Sequence, residues 1–246
     1  RSSAASDVYK RQEYGAVLKE GLYEDAERKE TLLDLCRFST NESEDPISLS
    51  QYLEKMPDTQ KEIYYISAET SAQALASPHL EGFKSKNIPV LIMTDAIDQF
   101  WLPMIGSFKE KKFTSITQGK INLDELDSKN KDKKNKSNDK DKQDKEYVDL
   151  IAQLKVVLGD QVKDIRLSSK LTDSPVCLVA DEGDMDIAME QLMAQRDSNY
   201  KGAPRILEIN GDHSLIKNMK SLLSKKESND LVSDAVSYTH LRAHET

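Results

Sequence analysis

Two carboxylates, Asp95 and Asp98, stand at the end of the apolar run IPVLIMTD (88–95). Such a run reads as a strand buried on both faces. Open α/β sheets gather ligands at the C-terminal ends of their strands. Two acids there could hold a metal or work as an acid/base pair. The plainer reading makes Asp95 the cap of the next helix and Asp98 a surface residue. No phosphate loop or cationic partner accompanies them in sequence. His79 follows Pro78 in a loop-like stretch and His213 sits at a helix start. Neither has a Cys, His or carboxylate at metal-ligand spacing, so both read as structural or solvated. Cys36 and Cys177 are far apart and belong to no CxxC pattern. They read as reduced, partly buried thiols of a cytosolic protein. GxGxxG, GxxxxGK[ST] and GxSxG are absent. One apolar pattern remains, in DMDIAMEQLMAQ (184–195). On a helix Met185, Met189, Leu192 and Met193 form one stripe. Periodicity alone reads the stripe as core. Its methionines allow another use, a face that adapts to many partner shapes.

The elements that position these residues are readable from periodicity. Residues 14–38 read as a helix with Leu32, Leu33, Leu35, Cys36 and Phe38 on its apolar face. STNESEDP (39–46) reads as a polar loop, and Ser48 with Gln51 makes a capping box for a short helix over 48–56. KEIYYISA (61–68) is a strand. A helix over 71–87 is broken at Pro78. The strand 88–95 leads into a helix stopping near Pro103, and 111–117 reads as an edge strand. Strand, helix, strand, helix, strand implies a small open sheet covered by helices. The charged stretch 128–146 has no apolar residue and reads as a disordered linker. It lacks arginine and aromatics, so it is a poor nucleic-acid tail. Beyond it come an amphipathic helix (147–159) ending at Gly159, strands 162–169 and 174–181 joined by the turn LTD, the methionine-rich helix, a strand over 202–210, and a helix from 212 with Asp212 as N-cap.

Of the 246 residues 37% are hydrophobic and 32% charged, so part of the chain is expected to stay unpacked. A net charge of -8 argues against a general nucleic-acid binder. No apolar run reaches the roughly 18 residues of a membrane span. RSSAASDVYKRQ (1–12) and the stretch from about 233 to 246 have neither helical nor strand periodicity and resemble translated adapter sequence. They are set aside as artefact. With them goes the apparent metal pair His240 and His244.

Four blocks, in this order, resemble the heat-shock protein 90 chaperone family, most closely its bacterial branch. They are GAVLKEGLYEDAERKETLLDLCRF (15–38), SLSQYLEKMPDTQKEIYYISAE (48–69), SPHLEGFKSKNIPVLIMTDAID (77–98) and VKDIRLSSKLTDSPVCLVA (162–180). Block 15–38 is similar to the family's G-x-x-L-K-E-G stretch with its L-L-R-F ending. Block 48–69 resembles S-L-x-x-Y with I-Y-Y-I, block 77–98 resembles S-P-x-L-E with I-D, and block 162–180 resembles V-R-x-x-x-R-L-x-D-x-P. The likeness runs from about Glu13 to about Val232. At 210–213 the chain has NGDH where the family commonly has NPDH, a change confined to the helix entry.

The resemblance implies an α/β chain. Residues 13–126 would be the C-terminal part of a middle domain, a helical connector plus a small α/β/α open-sheet subdomain. Residues 127–146 would be the linker. Residues 147–232 would be an α+β C-terminal domain cut short before the dimerisation helices. It implies a client-binding part of an ATP-dependent chaperone, cytoplasmic and monomeric as it stands. The full-length parent would be a homodimer using ATP and Mg. The implied partners are non-native proteins, with no nucleic acid and no membrane. This piece would have no catalytic residue, cofactor or metal. Client contacts carry over to Phe100 and Trp101 in DQFWLPM, and to Met185, Met189, Leu192 and Met193. The competing reading from another class is a small metal-dependent α/β enzyme using Asp95 and Asp98.

Overall fold

A computed structural model of the chain describes residues 15, 17–22, 24, 27–57, 59–123, 126, 133–197 and 200–224, with backbone alone for 133–145 and 224. The described residues form two compact units. The first takes those up to Ala76 together with Asn87–Ile116; the second takes Ser77–Lys86 together with those from Thr117 onward. The sequence boundary expected near 126 therefore falls inside the second unit. The two stretches expected to be artefact, 1–12 and 233–246, lie outside the described residues.

In the first unit β1 (Ser39–Thr40), β2 (Ile63–Ser67), β3 (Leu91–Met93), β4 (Ser107–Phe108) and β5 (Lys111–Ser115) form one sheet in the order β1-β3-β2-β5-β4. β2 runs parallel to both β3 and β5, while β1 and β4 close the edges antiparallel. The expected α/β open sheet is thus a five-stranded mixed sheet. All three residues of β3 are buried, as its continuous apolar run requires. Ser48 and Gln51 make their capping box on the helix Leu49–Lys55. Leu33, Phe38, Leu49, Tyr52, Ile63 and Trp101 belong to one apolar core.

Three local readings change. The helix expected over 14–38 is interrupted by a bend at Glu27 and Arg28, its second part, Lys29–Leu35, stops at Leu35, and Phe38 bridges Ile47 instead. Arg37 Nη1 donates to the carbonyls of Asp34, Leu35 and Cys36 at 2.7, 3.0 and 2.9 Å, satisfying groups a helix end leaves open. The helix Asp98–Ile105 passes through Pro103, which keeps a helical φ and forgoes one donor. It ends instead at Gly106, whose φ of 70° is left-handed and whose N–H returns to Leu102 O. Finally, β5 is not an edge strand. β4 pairs outside it through a two-residue turn in which Lys109 and Glu110 both take positive φ.

The second unit holds β6 (Val162–Leu167), β7 (Val176–Val179) and β8 (Arg205–Ile209) in the order β6-β8-β7. β8 is parallel to β6 and antiparallel to β7, so the loop containing LTD does not make a hairpin of its two flanking strands. Its Thr172, Asp173 and Ser174 N–H groups donate to the Glu81 carboxylate instead. Partial burial pushes Glu81 up, but the Ser174 hydroxyl together with these N–H groups outweighs it and holds the carboxylate below its ordinary 4.5. Beside it, Gly82 lies so close to Lys170 that a Cβ would stand 2.5 Å from the Lys170 carbonyl oxygen. These contacts hold the helix Glu81–Ser85 in this unit.

The helix expected from 147 starts much earlier, at Lys133, and runs to Leu158. The stretch read as a disordered linker is therefore helical over 133–146; its first residues, 127–132, lie outside the described ones. The physical reason is propagation. Tyr147, Leu150, Leu154 and Leu158 bury one face and fix the helix, and the Lys, Asp and Gln residues before them extend it at little cost per residue. The helix ends at Gly159, with φ 49°. Asp212 does not cap the helix Ser214–Ser224. His213 does, its Nδ1 accepting the Leu215 N–H at 3.1 Å.

Candidate functional site

In the second unit the site is the stretch from Met185 to Met193. The helix Ile187–Arg196 begins after Asp186, whose side chain accepts the Ala188 N–H at 2.9 Å. Asp186 also accepts from the Thr117 hydroxyl at 2.9 Å. Met185 therefore precedes the helix and lies on its lead-in, with 39% of its surface exposed. That lead-in is fixed by polar contacts. Gln118 Nε2 donates to Asp184 O at 2.6 Å, and Lys163 Nζ bridges the Asp181 and Asp184 carboxylates at 2.8 and 3.0 Å.

Met189, Leu192 and Met193 are half-buried on the helix itself. The unit's apolar core is built from Tyr147, Leu150, Leu178, Leu207, Ile209 and Ile216 with their neighbours, and none of the four stripe residues belongs to it. The one fully buried residue of the helix is polar. Glu190 accepts the Ala203 N–H at 2.9 Å and pairs with Arg205 Nη2 at 3.1 Å. A buried carboxylate and an N-cap thus fasten the helix, and the methionines do not have to.

In the first unit Phe100 and Trp101 separate. Phe100 is half-buried, and Met104, one turn on, is 49% exposed. Trp101 has no exposed surface. Its ring meets Phe113 edge-on at 5.5 Å, and its Nε1–H donates to Asp98 Oδ1 at 2.8 Å. Trp101 is a core residue and not an exposed contact, contrary to expectation; the consecutive aromatics of the helix point to different surroundings.

The two acids are not a metal site either. Lys19 Nζ lies 2.7 Å from Asp95 Oδ2 and 2.8 Å from Asp98 Oδ1, and it faces the Phe38 ring at 5.0 Å. Asp98 is fully buried, and its second oxygen accepts the Asp95 N–H. A cation from a distant part of the chain thus occupies the place a metal would need, and Asp98's lone pairs are committed to protein donors. Burial alone would lower the Lys19 pKa, but Asp98 and Asp95 hold it above the ordinary lysine value. Burial pushes Asp98 up, with Lys19 and Trp101 opposing. The direction that governs the cluster is the Lys19 rise, because it records a paired ammonium. Among the described residues no group of three or more His, Cys, Asp or Glu is arranged to hold a metal. The Asp95 side chain binds Lys19 and does not cap the helix.

The remaining candidates are structural. His79 is buried, and Cys36 and Cys177 are buried, free thiols. Sequence reasoning missed Lys19, Glu190 and Glu81. Each finds its partners well away along the chain, and no local spacing marks it. Among the described residues no helix is long and apolar enough to cross a membrane.

The family model for Hsp90 protein matches residues 3–243. The chain is 42% identical over 226 residues to Chaperone protein HtpG of Roseobacter denitrificans, covering 91% of this chain and 36% of that protein. It is 35% identical over 232 residues to Chaperone protein HtpG of Streptomyces coelicolor, with coverage of 94% and 36%. For Chaperone protein HtpG of Pseudoalteromonas translucida the identity is 38% over 210 residues, with coverage of 84% and 32%. The chain spans about a third of the length of the curated relatives it matches. It belongs to the Hsp90 family.

Proposed function

We propose that this chain is the client-handling part of an ATP-dependent molecular chaperone. Non-native proteins dock on Met185, Met189, Leu192 and Met193, with Phe100 as a further contact. The whole protein binds ATP and Mg, works as a homodimer in the cytoplasm and presses clients between its protomers. The chain described here contributes binding and no catalysis. This reading rests on family membership and on one observation: the methionine face lies outside the core, on a helix fastened by polar groups. Unbranched, polarizable methionines mould to many shapes and so favour loose, reversible binding.

Aggregation of a destabilised protein, with and without the chain, tests it. Full covering of a methionine is worth about 1.5–3 kcal/mol, and the part of Met185 still open accounts for about 1 kcal/mol. Met185→Asp with Met189→Asp should therefore weaken suppression about tenfold or more, while circular dichroism remains that of the wild type. A folded double variant that suppresses as well as the wild type rejects the face. An unfolded one shows the stripe to be structural.

A further inference from the structure

We propose that the Met185–Met193 face is an oxidation site, at which peroxide-class oxidants form methionine sulfoxides and so turn binding off. The inference rests on the client-face reading above. It comes from how sulfur is distributed in the two units. The chain has seven methionines, and three of them, Met185, Met189 and Met193, fall within one short stretch. Met93 and Met219 are sealed in the cores at 1% and 2% exposure. Met185 is open, Met189 and Met193 are half-open, and none of the three helps to fill the core.

The cysteines offer no competing target. Cys36 and Cys177 are both buried. Burial pushes the Cys36 thiol up to about 11 and moves Cys177 further in the same direction. Thiolate, the form that peroxides attack, is scarce at both. Peroxide should therefore reach the methionine face and Met104, which is 49% exposed, before the cysteines and the core methionines.

The step balances simply. The thioether sulfur gives an electron pair to one peroxide oxygen and the O–O bond breaks. That oxygen stays on sulfur, and the other leaves as water. A thiol-dependent sulfoxide reductase reverses it, returning the oxygen as water while two thiols become a disulfide. Each event replaces a soft apolar group with a polar one. A core methionine treated so would unfold its domain. Here the Glu190 and Asp186 contacts hold the helix independently of the sulfurs. The face changes character while the fold stays.

Hydrogen peroxide, applied to the 246-residue chain with time-resolved peptide mass mapping, is the test. Met185, Met189 and Met193 should oxidise on the order of tenfold faster than Met93 and Met219, with exposed Met104 as reference. Aggregation suppression should fall with their oxidation and return after reductase treatment. The M185L/M189L/M193L variant, apolar but without sulfur, should suppress to the same level before and after peroxide, whatever that level is. Equal oxidation rates at buried and stripe methionines overturn the inference. So does an oxidised wild type that suppresses fully, or a Leu variant that loses suppression in peroxide. Those three results leave the client face standing. A folded, unoxidised M185D/M189D variant that suppresses like the wild type removes the client face, and the switch with it.

Discussion

Removing the Lys19 ammonium should cost the first unit far more than an ordinary surface lysine would. Lys19 and Asp98 are 4% and 0% exposed, so solvent cannot take the place of either partner. At 2.8 Å the pair attracts by about 6 kcal/mol at an effective dielectric of about 20, against several kcal/mol to dehydrate each ion. Lys19→Met leaves the dehydration of Asp98 uncompensated, and a loss of about 3–5 kcal/mol is expected. Asp98→Asn is milder, about 2 kcal/mol, because Lys19 keeps Asp95. The double variant should be no worse than Lys19→Met alone, giving a coupling of about 2 kcal/mol. Urea unfolding followed by tryptophan fluorescence reads this directly. Trp101 is the single tryptophan and donates to Asp98. Alkali probes the same pair independently. With its pKa held above 10.5, Lys19 contributes stability that is present below that pH and fades as pH rises through the folded value. Additive single variants, or a Lys19→Met protein unfolding within about 0.5 kcal/mol of wild type, would refute the coupled pair and make Asp98 a free acid again.

Two further outcomes follow from the second unit. Burial first, then Lys170 and Arg205, lowers His79 from 6.5 to about 3. Between those values the unfolded chain binds the extra proton, so stability should drop by about 2 kcal/mol from pH 7 to pH 5; His79→Gln should flatten that slope, and equal urea midpoint shifts in both proteins would show the ring is not responsible. Gly82→Ala puts a Cβ 2.5 Å from Lys170 O and 2.6 Å from Leu123 Cδ1; a loss of about 3 kcal/mol is expected in thermal unfolding, and a variant that melts like the wild type would mean the two segments part freely.

Much of the architecture was legible because it follows from short-range rules. The capping box at Ser48, the buried run at Leu91–Met93 and the glycine stop at Gly159 are local signatures, and all three appear as expected. What escaped was set by partners far along the chain. Ser39–Thr40 has the composition of a loop, yet it pairs with β3 while the Asn41 side chain holds Ile88 O and Val90 N at 3.1 and 2.7 Å. Lys109 and Glu110 carry no turn signature, since hairpins of that geometry usually recruit Asn or Gly. Within the candidate site, spacing identified the methionine stripe but placed Met185 on the helix, because it could not show that Asp186 is the cap. The inward turn of Trp101 escapes the sequence for a related reason. Neighbouring helical positions face different ways, and only Asp98, one turn back, marks which ring turns inward.

The capture of residues 77–86 by the second unit has a consequence for how the protein is made. Glu81 leaves the ribosome 93 residues before Ser174, the residue it binds. At about 5–20 residues per second that is a wait on the order of 5–20 s. In that interval β3, β4 and β5 are also synthesised, so the first unit can close while a piece of its own sequence stays unclaimed. Pro78, Leu80 and Phe83, all buried in the finished fold, would meanwhile face water. A chain of this family would thus present, while still nascent, the kind of apolar surface that chaperones bind.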